Sequence, residues 1–244
     1  MAEEFKTSPI GFLTAGQISI PVFSHIDEYV QNYDQISKDH LNHFENHGVN
    51  PFMAEDFWVD CEDRTAAIVK HNVSHGARIL DVGCGLGRLL TKCSGYEKYG
   101  MDISAQYLEK AIDSDANLCM AKVEDMPYVD DFFDLVVCTD VLEHVLDLNL
   151  AMRQLIRVLK PGGKLILRVP YKESLKPYTE QSYPYKYAHL RNFDEHSMLL
   201  LCENIFGQSV EGYEYGPYII DPGYLRIPIK GRGVGFLFRT LMRI

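Results

Sequence analysis

Residues 77–88 read ARILDVGCGLGR. Ile79, Leu80 and Val82 form an apolar run of strand length that carries Asp81, and Gly83, Gly85 and Gly87 follow at alternate positions before a helical pattern starts at Leu86. A buried strand, a tight turn and a helix start are thus packed into one short segment. Glycines two apart let backbone amides come close to a ligand that a Cβ would keep away. A dinucleotide turn of the form G-x-G-x-x-G needs a small third residue, and counted from Gly83 that position is Arg88. No lysine follows in the arrangement of a phosphate-binding P-loop. What is left is a turn of the form acid-x-Gly-x-Gly-x-Gly, with an ordinary strand–helix turn as the plain alternative.

Outward from this turn, short apolar runs alternate with helical stretches. Strands are expected at 77–82, 98–102, 117–122, 134–139 and 164–169, and helices at 86–93, 104–113 and 147–159. Alternation of this kind predicts an α/β fold with a doubly wound, mostly parallel sheet and helices on both faces. Such sheets bind ligands at the carboxyl ends of their strands. The second strand ends at Asp102, twenty-one residues after Asp81, the spacing at which an acid accepts both hydroxyl protons of a ribose. Ser104 is an expected N-cap, so Asp102 also reads as a helix-start acid.

Asp81-Val-Gly-Cys-Gly-Leu-Gly87 resembles motif I of the class I S-adenosylmethionine-dependent methyltransferases. Four further landmarks of that family follow in order between 77 and 170: Asp102, the Val123-Glu124-Asp125-Met126-Pro127 segment, the strand 134–139 followed by Leu142-Glu143-His144-Val145, and Leu159-Lys160-Pro161-Gly162-Gly163 before the fifth strand. The resemblance implies a Rossmann-like seven-stranded sheet with an N-terminal helical lid, S-adenosylmethionine as cofactor and S-adenosylhomocysteine as product. It further implies a cofactor set of Asp81, Gly83, Cys84, Gly85, Gly87, Asp102, Ile103, Glu124, Asp125, Met126 and Thr139. In it Asp125 meets the adenine amino group and Met126 packs on the ring or offers its N–H, against the alternative of a plain acidic turn. Arg64, on a helix that precedes motif I, would reach the cofactor carboxylate or else pair with Glu62 or Asp63 on the surface. His144 would stand near the methyl group as a proton acceptor with a pKa suited to neutral pH, or simply shape the pocket.

Composition sets outer bounds. The chain has 244 residues, 46% hydrophobic and 24% charged, with a formal net charge of −10. That fits one globular unit with a sizeable core and disfavours nucleic acid as a partner. No run is apolar and long enough to span a bilayer, and the acidic N-terminus is no signal peptide. Six cysteines without a C-x-x-C suggest a reduced, cytoplasmic protein with no metal site. The expected division is a helical lid or extension over 1–72 and a cofactor-binding domain over 73–244.

The flanks are more individual. Residues 1–24 carry no clear periodicity, and helices are expected at 26–47 and 55–72. His40, His43 and His47 share one face of the first helix, with His43 the candidate for touching substrate and no carboxylate or cysteine completing a metal set. The loop 171–193 follows the fifth strand and is rich in tyrosine; Tyr171, Tyr183, Tyr185, Tyr187 and Arg191 are the candidate acceptor contacts, with dimer packing as the alternative. His189 is a second candidate base. Asp194 is an expected N-cap, with Phe193 and Met198 spaced as a hydrophobic staple. Residues 208–244 are expected to supply the last strands, and the tail carrying Arg226, Lys230, Arg232, Arg239 and Arg243 reads first as an edge strand or packed terminal helix, with weak peripheral membrane contact or a partner as the alternative. The function expected is methyl transfer to a hydroxyl of a small molecule, a sugar or natural-product intermediate. Its rivals are N-methylation of a small amine, a non-catalytic cofactor-binding module and a nicotinamide oxidoreductase.

Overall fold

The computed structural model describes residues 4–52 and 54–216. Its sheet has seven strands: β1 Gly11–Ala15, β2 Ile18–Val22, β3 Arg78–Val82, β4 Glu97–Asp102, β5 Asn117–Met120, β6 Phe133–Thr139 and β7 Leu159–Arg168. They lie in the order β1-β2-β5-β4-β3-β6-β7. The five strands from β3 onward are mutually parallel where they pair, as the repeated strand–helix alternation requires. Their apolar runs are buried on both faces: Leu80, Leu135, Val136 and Cys138 are fully buried.

The helices are α1 Glu28–His47, α2 Glu55–Asn72, α3 Arg88–Lys92, α4 Ala105–Ala111, α5 Leu148–Arg157 and α6 Glu195–Leu199. Side-chain caps start several of them, with Asp27, Ser104 and Asp147 each accepting an amide of the first turn. Asp194 and Ser197 close a reciprocal capping box at α6.

Two departures from the sequence expectation concern the sheet edges. Residues 11–22, where no element was expected, form an antiparallel hairpin through Gly16, and β2 joins β5 in parallel at Val22↔Met120. The N-terminal segment is therefore part hairpin and part helix, and the hairpin extends the sheet. The strands expected over 208–244 are absent over 208–216, and residues 217–244, including the five basic residues named above, lie outside the described residues. Seven strands are reached, but two of them come from the N-terminal side. All six cysteines are free thiols, five of them buried. Among the described residues no helix is long and apolar enough to cross a membrane.

Candidate functional site

The turn after β3 takes the backbone through three left-handed glycines, with φ of 73° at Gly83, 51° at Gly85 and 71° at Gly87. Each has its own constraint. A Cβ on Gly83 would lie 2.3 Å from Val141 Cγ2, and one on Gly87 would press on Ala111 and Ser114 of the neighbouring segment. On Gly85 it would meet nothing within 4 Å, so this face of the turn is open toward a ligand. Gly83 and Cys84 donate to the Met101 carbonyl, tying the turn to the end of β4.

At that end Asp102 is buried, and its two oxygens accept from Gly85 N at 2.9 Å and Ser104 N at 2.8 Å. A carboxylate oxygen has two lone-pair directions, so each keeps one for a diol. The helix start and the free lone pairs therefore coexist: Ser104 caps α4 while Asp102 braces both loops. Ile103 sits half-buried between them. Asp81 is 4% exposed. Burial pushes its carboxyl up to about 8; Arg168 opposes this, while Asp102 and Glu62 add to it. Burial also raises Asp102. Two strand ends thus present buried carboxylates with a deficit of positive charge, and an open glycine face lies between them. That combination suits a cationic ligand bearing a ribose.

The remaining candidates for the cofactor divide. Asp125 is exposed at the lip and accepts from Ser24 Oγ at 3.3 Å, and Thr139 closes β6. Met126 is 1% exposed within the main core and its N–H goes to the Val123 carbonyl, so neither its side chain nor its amide is free for a ring. Glu124 accepts the amides of Leu146 and Asp147 before α5. Arg64 is exposed and pairs with Asp60 at 2.8 Å, one turn back on α2, rather than with Glu62 or Asp63. The cation near Asp81 is instead Arg168 at the end of β7, which binds Asp140 at 2.7 Å, the Cys61 carbonyl and Thr65 Oγ1. Charge alone did not distinguish it in the sequence from other strand arginines.

Beyond β6 a second cluster forms. His144 Nδ1 lies 2.9 Å from Tyr33 Oη and 3.3 Å from the Ala188 carbonyl. His189 Nδ1 binds Glu173 Oε2, and the two imidazoles meet edge to face at 4.5 Å. Beneath them Glu143 is 1% exposed, and neither carboxylate oxygen has a hydrogen-bond partner. Burial holds Glu143 well above the usual carboxylate range, aided by Asp140 and Glu173. Burial and His189 push His144 down to about 3, which corrects the expectation of a base poised near neutrality: this imidazole stays neutral. Burial opposes it, but hydrogen bonds from His189 and Tyr178 hold Glu173 below its usual range. Glu143 and Glu173 were missed in the sequence, since only the fold brings residue 173 beside 143.

The 171–193 loop docks on α1. Asn32 exchanges two hydrogen bonds with the Tyr187 backbone, at 2.8 and 3.1 Å, Tyr185 donates to Asp39 at 3.0 Å, and Tyr187 packs on Tyr29. Tyr183 packs against Tyr178 and Tyr185. Tyr171 stands apart, 46% exposed against Tyr215, and Arg191 donates to the Leu142 and Leu146 carbonyls, so it anchors the His144 segment. On α1, His43 packs at a tilt against His47 while His40 turns inward to Tyr107, so the three histidines do not converge. The same helix reaches the other site, where Ser37 binds Ser104 and Asp34 accepts Ala105 N. A surface hollow of about 550 Å³ lined by His71, His75 and Tyr96 lies at the amino ends of β3 and β4, the edge opposite all of this chemistry.

Comparison with known proteins agrees with this geometry. A family model described as "Methyltransferase domain" matches residues 80–167. The ubiquinone/menaquinone biosynthesis C-methyltransferase UbiE of Pectobacterium atrosepticum is 29% identical over 181 residues, 68% of this chain and 66% of that one. The methyltransferase GfsG of Streptomyces halstedii is 33% identical over 107 residues, 39% of this chain and 38% of its own. The chain thus spans less than two thirds of these relatives. Among solved structures, a Thermotoga maritima S-adenosylmethionine-dependent methyltransferase, described as a possible histamine N-methyltransferase, shares the fold with a TM-score of 0.54 at 22% identity, covering 71% of this chain and 79% of that one. The glycine turn and the acid-tipped ends of β3 and β4 both fall inside the segment that matches the methyltransferase domain, on a sheet whose fold a solved S-adenosylmethionine-dependent methyltransferase shares.

Proposed function

We propose that the chain transfers the methyl group of S-adenosylmethionine to a hydroxyl of a small molecule held under α1 and the 171–193 loop. The bound cofactor supplies a methyl carbon already activated on a positive sulfur. What the protein adds is alignment, which accounts for about 7–11 kcal/mol of barrier in well-oriented reactions. Asp102 takes the ribose hydroxyls, Asp81 faces the cationic amino-acid end, Asp125 stands at the adenine lip, and the backbone after Thr139 borders the reacting centre. The tyrosines of the loop and of α1 exclude water from that centre. Residues 1–72 contribute a lid through α1.

The observation that carries the hydroxyl reading is the convergence of His144, His189 and Glu143 next to the end of β6. Since the Ala188 carbonyl and the Glu173 carboxylate only accept, they fix Nδ1–H on each ring and leave the Nε2 lone pairs uncommitted. A hydroxyl set against this cluster gives its proton to Nε2 of His189, while neutral His144 positions it. The relatives favour a second reading: UbiE is named a C-methyltransferase, and a Synechocystis relative, 29% identical over 164 residues, is named 2-methyl-6-phytyl-1,4-hydroquinone methyltransferase. A phenolate is nucleophilic at oxygen and at the ortho carbon, so the same cluster serves ring methylation.

The test is a screen of sugars, phenols and hydroquinones with labelled methyl donor, with NMR of the product to separate O-methyl from C-methyl. Combined His144→Ala and His189→Ala should lower turnover by about 10²–10⁴-fold while S-adenosylhomocysteine still binds. Full turnover in that variant would remove the cluster from the reaction.

A further inference from the structure

From its convergent donors, we propose that Glu143, His144 and His189 bind one divalent transition-metal ion at the acceptor end of the site. Their ligand atoms all lie within 4.8 Å of one another, and His144 Nε2 is 3.9 Å from Glu143 Oε1. Tetrahedral ligands about 2.1 Å from an ion stand about 3.4 Å apart, so small side-chain rotations close the set.

Two independent features point to an ion. First, Glu143 is a buried carboxylate with both oxygens unpartnered, facing two imidazoles and two further carboxylates, Asp140 and Glu173. An isolated buried charge is among the costliest groups a fold can carry, and a cation removes that cost. Second, each imidazole is already oriented as metal-bound histidines are. His189 Nδ1 is held by Glu173, which Tyr178 also contacts, and His144 Nδ1 by the Ala188 carbonyl and Tyr33. Carboxylate or carbonyl on one ring nitrogen, metal on the other, is the usual outer arrangement.

The donor set decides the class of ion. Two imidazoles and one carboxylate suit zinc, iron, cobalt or manganese, whereas calcium and magnesium prefer all-oxygen shells. Asp140 is excluded as a ligand by its ion pair with Arg168. The histidines of α1 contribute nothing: His40 is committed to Tyr107, and His43 packs against His47. With three protein ligands the ion keeps positions open for an acceptor oxygen. An acceptor hydroxyl there gives its proton to water and keeps its electron pair for the methyl carbon. This catalytic role rests on the methyl-transfer reading; the binding of metal does not.

The full chain, stripped with EDTA and dialysed, is titrated with cobalt(II) alone by calorimetry and visible absorption. One ion per chain, with weak d–d bands and no intense near-ultraviolet thiolate band, is expected for wild type and for the control His196→Ala, whose histidine is exposed. Glu143→Gln, nearly isosteric, and His189→Ala should weaken binding at least 100-fold, and Glu173→Gln about 10-fold. No saturable binding to wild type, thiolate bands, or unchanged affinity in both ligand variants would overturn the proposal. S-adenosylhomocysteine is titrated in parallel on every variant: its binding checks the fold, and its loss in wild type would count against the methyltransferase reading instead.

Discussion

Replacing Asp81 by Asn keeps the shape of the side chain at the end of β3 and removes its ionisation. In the folded, ligand-free protein burial carries this carboxyl from 3.8 up to about 8. Between those values the folded chain holds a proton that the unfolded chain has released. Stability from this group is therefore fully present below about pH 4, falls as pH rises, and levels off above about pH 8. Each pH unit inside that window costs about 1.4 kcal/mol, so going from pH 5 to pH 7 costs wild type about 2.7 kcal/mol. The Asp81→Asn variant, with no proton to release, escapes this loss. The difference in unfolding free energy between Asp81→Asn and wild type should grow by about 2–3 kcal/mol from pH 5 to pH 7, or about 5–10 °C in melting temperature for a chain of this size. Urea titrations at pH 5, 6 and 7 without ligand measure it. With S-adenosylhomocysteine the gap opened between pH 5 and pH 7 should close, because ligand at 100 times its Kd adds about 2.7 kcal/mol to wild type and little to the variant. A pH-independent difference between the two proteins would refute the argument, since Asp81 would then ionise in the fold as it does in water.

Two other substitutions probe the frame around that site. Gly83→Ala places a Cβ 2.3 Å from Val141 Cγ2 at a φ of 73°, and should cost about 2–4 kcal/mol of stability and abolish S-adenosylhomocysteine binding, read by chemical denaturation and calorimetry. Asn32→Ala removes both hydrogen bonds to Tyr187, loosening the loop from α1 by about 1–1.5 kcal/mol. Tryptic cleavage after the exposed Lys186 should accelerate about 5–10-fold, with S-adenosylhomocysteine slowing it in wild type; unchanged cutting with ligand would argue against the lid.

What could be read in the sequence was whatever is local. The glycine turn, the acids at fixed offsets from it and the 55–72 helix depend on neighbours in the chain, and they lie where periodicity placed them. The N-terminal hairpin was harder to see because its strands are five residues each and Pro21 interrupts the second. Proline is tolerated there because β2 meets β5 at a single register position, Val22↔Met120, so no long ladder needs its missing N–H. Arg64 was a candidate for the cofactor carboxylate because its helix precedes the glycine turn, with surface pairing as the alternative; the fold turns Arg64 outward and threads Arg168 between α2 and the end of β6. Met126 matched its motif, yet the chain turns so that it fills the core under the lip. The Glu143–His189 juxtaposition needs a loop that returns across the end of β6, held by Leu190 N on the Glu143 carbonyl, and no local pattern encodes that return.

These placements share an electrostatic logic. Asp81, Asp102 and Glu143 are each buried at the carboxyl edge of the sheet, and burial raises all three. A fold selected for stability alone would replace such groups with apolar ones of similar size, often at no loss. Keeping them makes the ligand-free protein less stable and stores affinity for positive charge at two adjacent points. One is the glycine-turn end, where backbone amides bind Asp102; the other is the Glu143 end, where two imidazoles face an unpartnered carboxylate. α1 binds to both, through Ser37 at the first and Tyr33 at the second. Ordering that helix by ligand at one point therefore places Tyr33 against His144 at the other, so cofactor binding and assembly of the acceptor site should be coupled through a single helix, with reciprocal effects on affinity.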